Sequence, residues 1–208
     1  MASNLDSVKS ASPEGRAYHH GALRAALMAA AEALIEERGL DRFSLRETAR
    51  RAGVSPAAPA HHFGDARGLL TAIATAGFQE LGDALEEADD GENIHARIMA
   101  QGRAYVRFAL ARPARFTLMW RKAILDTDDP AHIEAGNRAF LILDRAVRGE
   151  HAKRSGPRDP ALAPSIACWS MVHGFALLAL DGAFGTEEDA PAQAAEALLP
   201  LVLGHLTI

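Results

Sequence analysis

The corner at Ala52-Gly-Val-Ser-Pro56 constrains this chain more than any other feature, because helix-forming residues lead up to it from both sides and cannot run through it. Gly53 supplies the left-handed backbone that ends a helix. Ser55-Pro56 offers an N-cap followed by proline at the first helical position, so a second helix is expected from Pro56. Val54 is an apolar plug for the turn. Upstream, Ser44 and Glu47 have capping-box spacing: the hydroxyl accepts from the backbone N–H near Glu47, and the carboxylate reaches back to that of Ser44, which starts a helix at Leu45. The second helix, with its body from Ala57 to His62, is too short to be stable alone, so Leu45, Ala49, Val54 and Phe63 are expected to pack around it. The pattern predicts a helix-turn-helix.

Charge gives this unit a direction. The chain carries a net charge of −5, yet Arg42, Arg46, Arg50, Arg51 and Arg67 outnumber Glu47 and Asp65 for a local balance of +3. A basic corner on an acidic protein suits docking on phosphates, with the free N–H groups of the second helix turned to the groove. The plainer alternative is a solvated helical hairpin, and the caps, glycine and arginines together favour DNA. The second helix presents Ala57, Ala58, His61 and His62, with Ser44, Arg46 and Ser55 as backbone anchors. Alanines permit close approach and thymine-methyl contact, and histidines reach phosphates or base edges.

Residues 18–81 also carry a family pattern: a first helix ending Glu37-Arg-Gly-Leu40, then Ser44-Leu-Arg-Glu-Thr-Ala49, Ala52-Gly-Val-Ser55, His61-His-Phe63 and Leu69-Leu70. This segment resembles the DNA-binding domain of TetR-type transcriptional regulators. The resemblance implies a dimer on palindromic double-stranded operator DNA, most often a repressor, with a small effector bound inside a second, helical domain. Two positions depart from it. The family's phosphate-binding tyrosine and lysine are replaced by Ala60 and Ala66, with His61 and Arg67 nearby as substitutes.

The remaining chain predicts an all-α fold of about nine helices, since no stretch shows the alternation of a half-buried strand and 49% of residues are hydrophobic. The expected organisation is an arm over 1–15, the three-helix DNA-binding domain over 16–68, and a ligand-binding and dimerisation domain over 69–208. Cys168 is the only cysteine, and neither a leader nor an uninterrupted membrane-length apolar run is apparent, so a cytoplasmic protein with no membrane association is expected. Leu23, Leu27, Ala30, Leu34 and Ile35 share one face of a first helix from about His20, and a later helix through Leu69, Ile73 and Phe78 to about Glu87 joins the domains. A long helix is expected over 92–111 with a stripe of Ile94, Ile98, Gln101, Tyr105 and Phe108. Arg112-Pro113 starts a short one, and Asp129-Pro130 caps another with Ile133, Gly136, Phe140, Leu143 and Val147 on its stripe. Residues 149–164 are expected to form a mobile connection.

The last two helices are apolar on two faces, and Thr186-Glu-Glu-Asp189 is expected to cap a final helix kinked at Pro200. A helix apolar all round is buried all round, so a four-helix homodimer seam is expected, with Trp169, Met171, Phe175, Leu198, Leu199, Val202 and Leu206 as its candidates. Trp169-Ser-Met-Val-His-Gly174 resembles the signature of a TetR C-terminal type named for its Trp, His and Gly. The family's internal ligand site maps here onto Tyr105, Phe116, Trp120, Phe140 and His173, with Gln101 as the polar group. Core packing alone would also explain these aromatics. None is a charged residue, so the implied effector is small and largely apolar or aromatic.

Other classes fit less well. Glu92-Asn-Ile-His95 has the Glu-x-x-His spacing of carboxylate-bridged metal bundles, and Asp129-Pro-Ala-His132 echoes it, but both acids fall at helix starts. No catalytic serine elbow, phosphate loop, zinc-protease pair or cysteine cluster appears, so no enzyme, cofactor or metal is expected. A helical adaptor that has lost DNA binding is the third reading, drawn from Ala60 and Ala66.

Overall fold

The computed structural model describes residues 13–89, 91–152, 156 and 158–206, with side chains from residue 21 onward. No strand occurs among them. The helices are α1 (Pro13–Arg38), α2 (Leu45–Arg51), α3 (Ala58–Phe63), α4 (Ala66–Glu87), α5 (Ile94–Ala111), α6 (Pro113–Met119), α7 (Pro130–Arg148), α8 (Ala163–Leu180), α9 (Ala190–Ala197) and α10 (Leu199–Leu203). The last two are halves of one helix interrupted just before Pro200, whose missing N–H and ring break the ladder as expected. The chain divides into two compact units, Met1–Ala66 and Arg67–Ile208.

Several boundaries differ from expectation, each for a local reason. Helix α1 starts at Pro13, so residues 13–15 are helical; the rest of the expected arm lies outside the described residues. Asn93 accepts from Ala96 N at 3.0 Å and starts α5 two residues later than its spacing suggested. Asp129 caps α7 as expected, accepting from His132 N at 2.9 Å. Thr186 does not cap the final helix: Asp189 occupies that position, and its carboxylate takes the Gln193 amide instead. Residues 153–155 and 157 of the expected connection lie outside the described residues; Pro160–Leu162 forms a 3-10 turn that leads into α8.

In the larger unit α5 is the axis. It contacts α6, α7, α8, α9 and α10 and buries Ile98, Gln101, Tyr105, Val106 and Phe108. Ile94 and Ile133, both expected on apolar stripes, are 42% and 44% exposed because each lies in the first turn of its helix, short of the core. The partners approach closely where side chains vanish: a Cβ on Gly102 would sit 2.6 Å from Leu203 Cδ1, and one on Gly77 of α4 would sit 2.6 Å from Met119 Sδ. Between α7 and α8 lies a buried carboxylate. Asp144, 1% exposed, takes both nitrogens of an Arg148 fork at 2.6 Å and the Ser165 hydroxyl at 2.6 Å. Burial pushes its pKa up, but the Arg148 and Ser165 hydrogen bonds outweigh that and hold it below the usual carboxylate range.

Glycine substitutions should separate packing from propensity. Gly77→Ala places a methyl among Met119 and Arg115 atoms closer than 3 Å and should cost about 1–2 kcal/mol net of the helix propensity gained. Gly136→Ala in α7, where a Cβ meets nothing within 4 Å, should gain up to about 1 kcal/mol. Urea unfolding reads both, and opposite signs are the expected outcome.

Candidate DNA interface and effector cavity

The corner forms as its residues dictate, with one half of the capping box. Ser44 Oγ accepts from Glu47 N at 3.2 Å, Gly53 adopts φ 69°, and Val54 N reaches Ala49 O at 3.0 Å. The Glu47 carboxylate turns away from Ser44. It takes Arg50 Nε at 2.9 Å and Nη2 at 2.6 Å, and the Arg50 hydrogen bonds hold its pKa down at about 2. The second helix begins at Ala58, not Pro56. A start at Pro56 would require the Pro59 nitrogen to donate to Ser55 O; a start at Ala58 puts Pro59 in the first turn, where no donor is needed, and Ala58 N closes a turn onto Ser55 O at 3.0 Å. Ser55 is therefore no side-chain cap.

Packing inside this unit also shifts. Thr48, Ala49 and Pro59 are buried, whereas Leu45, Val54 and Phe63 are half-buried. Arg24 secures the end of α3 by donating to His62 O at 3.1 Å and lying 4.3 Å over the Phe63 ring. Of the predicted DNA contacts, Ser44, Arg46, Ser55, Ala57 and His61 are exposed, and Ala58 and His62 are half-exposed. The basic cluster is smaller than its sequence count. Arg50 is held by Glu47, and Arg51 by Glu37 at 2.5 Å. Arg67, the first residue of the larger unit, is exposed and donates from Nη2 to Leu125 O at 2.7 Å. Arg42 and Arg46 remain exposed.

The larger unit holds a partly open aromatic cavity of about 30 Å³, room for a water and little more. Its lining includes Phe78, Leu81, Tyr105, Trp120, Gly136, Phe140, Leu143 and Trp169. Tyr105, Trp120 and Phe140 of the expected site are thus brought together. Phe116 stands behind them, fully buried against Tyr105 and Trp120. His173 is reached through Tyr105. Trp169 Nε1 donates to the Tyr105 hydroxyl at 3.2 Å, which leaves that O–H to donate to His173 Nδ1 at 2.9 Å, so the neutral imidazole carries its proton on Nε2. Gln101 is 1% exposed one turn from Tyr105, but it does not line this cavity, and neither amide atom has a hydrogen-bond partner. The Trp120 indole nitrogen is likewise buried without one. Sequence reasoning missed Phe78 and His132, whose rings pack 5.5 Å apart, with His132 Nδ1 3.2 Å from Thr75 Oγ1. For Phe78 the signal was the apolar face of α4 continuing past Ala74; His132, in the first turn of α7, carried none.

The expected dimer seam divides in two. Trp169 belongs to the cavity, 5.4 Å from both Trp120 and Phe140, because it lies on the α8 face that meets α5 and α7. Leu199 is fully buried and Leu206 packs on Ile98, Val147 and Cys168, whereas Phe175, buried and stacked on Phe184, forms part of the wall of an open groove. Met171, Leu198 and Val202 do face that open apolar groove, joined by Gly174, Leu178, Leu201 and His205. The missed signal is a shared spacing: 171, 174, 175, 178 and 198, 201, 202, 205 follow the same three-four-seven step. Pro160–Leu180 has the length and a mean hydropathy, 1.5, of a membrane span, with 33% of it buried, a consequence of these two apolar faces.

Residues 27–73 match the family model for bacterial regulatory proteins of the tetR family, and residues 98–202, half the chain, match that for the tetracyclin repressor-like C-terminal domain. The chain belongs to the TetR family. It is therefore a ligand-responsive transcriptional regulator and not an enzyme. The Trp-His-Gly type rests on residues 169–174 alone, since the C-terminal model matched is the tetracyclin repressor-like one. Among solved structures, a protein of unknown function from Rhodococcus sp. RHA1 is 36% identical, covers 92% of this chain and 98% of its own, and superposes with a TM-score of 0.69. A TetR regulator from Rhodococcus RHA1 (21% identity, 88% and 96% covered, TM-score 0.68) and PfmR from Thermus thermophilus (21%, 88% and 99%, 0.64) share the fold. No curated relative matches the sequence.

Burial lowers the pKa of both His132 and His173. In the unfolded chain each titrates near about 6.5, so between that value and the lower folded pKa the unfolded state binds more protons. The unfolding free energy should therefore fall as pH drops below about 6.5. His173→Gln should flatten that limb, as read by urea unfolding at several pH values.

Proposed function

We propose that this TetR regulator is a homodimeric repressor that binds a palindromic operator through α3 and leaves it when a small, largely apolar or aromatic effector enters the cavity beside Trp120. The observation that carries the reading is the presence in one chain of an exposed, Arg46-flanked α3 and, in a second unit, an aromatic cavity. Ser44, Arg46, Ser55, Ala57, Ala58, His61 and His62 form the DNA face, together with the exposed Arg67. Half-sites about one helical turn apart, within about 15–20 base pairs, suit a two-fold pair of such helices. The effector acts by favouring the conformation in which those helices are mis-spaced. A hundredfold preference is worth about 2.7 kcal/mol, enough to empty a moderately occupied operator. The first turns of α4 are tied to the loop after Trp120 by Arg67 on Leu125 O and by Asp126 N on Thr71 Oγ1, which makes α4 the lever. A cytoplasmic location accords with this role.

Binding to the DNA upstream of its own gene, titrated against salt, tests the reading. Arg46→Ala should weaken binding to all sequences and lower the salt slope by about one unit; an unchanged slope removes Arg46 from the interface. For the dimer, Leu201→Glu is the sharper probe. Leu201 is 66% exposed in the single chain, so the charge costs a monomer little but meets its symmetry mate across the groove. Light scattering should show a dimer for the wild type and a monomer for the variant, and a wild-type monomer at micromolar concentration overturns the seam.

A further inference from the structure

Both tryptophans of the chain are walls of the one aromatic cavity, and their nitrogens are in different states. Trp169 Nε1 already donates to the Tyr105 hydroxyl, and that hydroxyl is in turn committed to His173. Trp120 Nε1 is buried and has no partner. Leaving a buried N–H without a hydrogen-bond acceptor carries a desolvation penalty, and the rings around it, Phe78, Phe116 and His173 with centroids 5.2, 6.2 and 4.7 Å from the Trp120 ring and packed edge to face, offer at most a weak N–H to ring contact. A single helical glycine, Gly136, also lines the cavity, and a Cβ there would meet nothing within 4 Å. Glycine in a helix interior is unfavourable relative to alanine, and no close approach inside this chain accounts for it. The space over Gly136 is therefore room into which a ring can slide as the cavity widens.

We propose that Trp120 is the specificity-determining residue of the effector site: its indole N–H selects neutral aromatic or alicyclic compounds bearing a hydrogen-bond acceptor such as a ketone or ester carbonyl, and the ring of the ligand lies over Gly136. This rests on the reading of the cavity as the effector site. No charged side chain lines the cavity, so the acceptor is an uncharged oxygen. A pure hydrocarbon fills the same space but leaves the N–H unmade.

The test uses two probes of nearly equal shape, acetophenone and isopropylbenzene, which differ in the acceptor. Each is titrated into full-length wild type and Trp120→Phe while the tryptophan indole N–H resonances are followed by NMR; the variant removes one of the two and so assigns them. The two affinities are compared as a ratio within each protein, which cancels the difference in water solubility. The expected result is a downfield shift of the Trp120 N–H with acetophenone and not with isopropylbenzene, and a preference for acetophenone that falls about tenfold in Trp120→Phe. An unchanged ratio, or no binding of either probe to the wild type, overturns the proposal; an unchanged ratio is also the outcome if a water holds the N–H throughout. Should Trp120→Phe not fold, the wild-type N–H shift with the two probes decides. Operator binding is measured without the probes, so failure here leaves the DNA-reading function standing and the two failures are told apart.

Discussion

The Tyr105 hydroxyl is the joint on which the larger unit depends. Tyrosine buried in an aromatic cluster must place its O–H, and here one oxygen accepts from Trp169 on α8 and donates to His173 one turn later on the same helix. Burial raises the Tyr105 pKa, so the group stays a neutral donor. That arrangement fixes the rotation of α8 against α5, and the rotation then decides everything else about α8. Its Trp169 side lines the cavity, and its Met171, Gly174 and Leu178 side lines the open apolar groove.

Electrostatics in the smaller unit work by subtraction. Five arginines sit near the corner in sequence, but Glu47 and Glu37 occupy two and a backbone carbonyl a third. A charge already bidentate with a carboxylate is largely neutralised there, so the surplus of positive charge is smaller than the count of arginines, and Ala60 and Ala66 add no cation of their own.

Close helix approach replaces bulk in the core. Gly77 and Gly102 let Met119 and Leu203 reach the helix backbone, which brings α6 and α10 against α4 and α5 within van der Waals range. The buried Asp144, satisfied by Arg148 and Ser165, locks α7 to the start of α8 at the other end of the unit. The half-buried Trp120 leads into residues 121–126, held to α4 by two hydrogen bonds and exposed but for Leu125.

The sequence alone determined the corner, the helices and their order, because caps, a left-handed glycine and 3.6-residue periodicity are local and act within a few residues. Gly53, Asp129 and the break before Pro200 all stand where those rules put them. It also placed Tyr105, Trp120 and Phe140 in one site, since their helices had to bury those rings somewhere common. What only the tertiary structure decided is which of two equivalent faces each helix turned inward, and which partner each charge chose. Trp169 lies on one apolar helix with Met171 and Leu178, and nothing local distinguishes the face that lines the cavity from the face that lines the open groove. Likewise Arg67 resembles any exposed arginine until Leu125 O, 58 residues away in sequence, comes within 2.7 Å. Contacts of that range are set by packing, which reads volumes and hydrogen-bond partners that no short window of sequence contains.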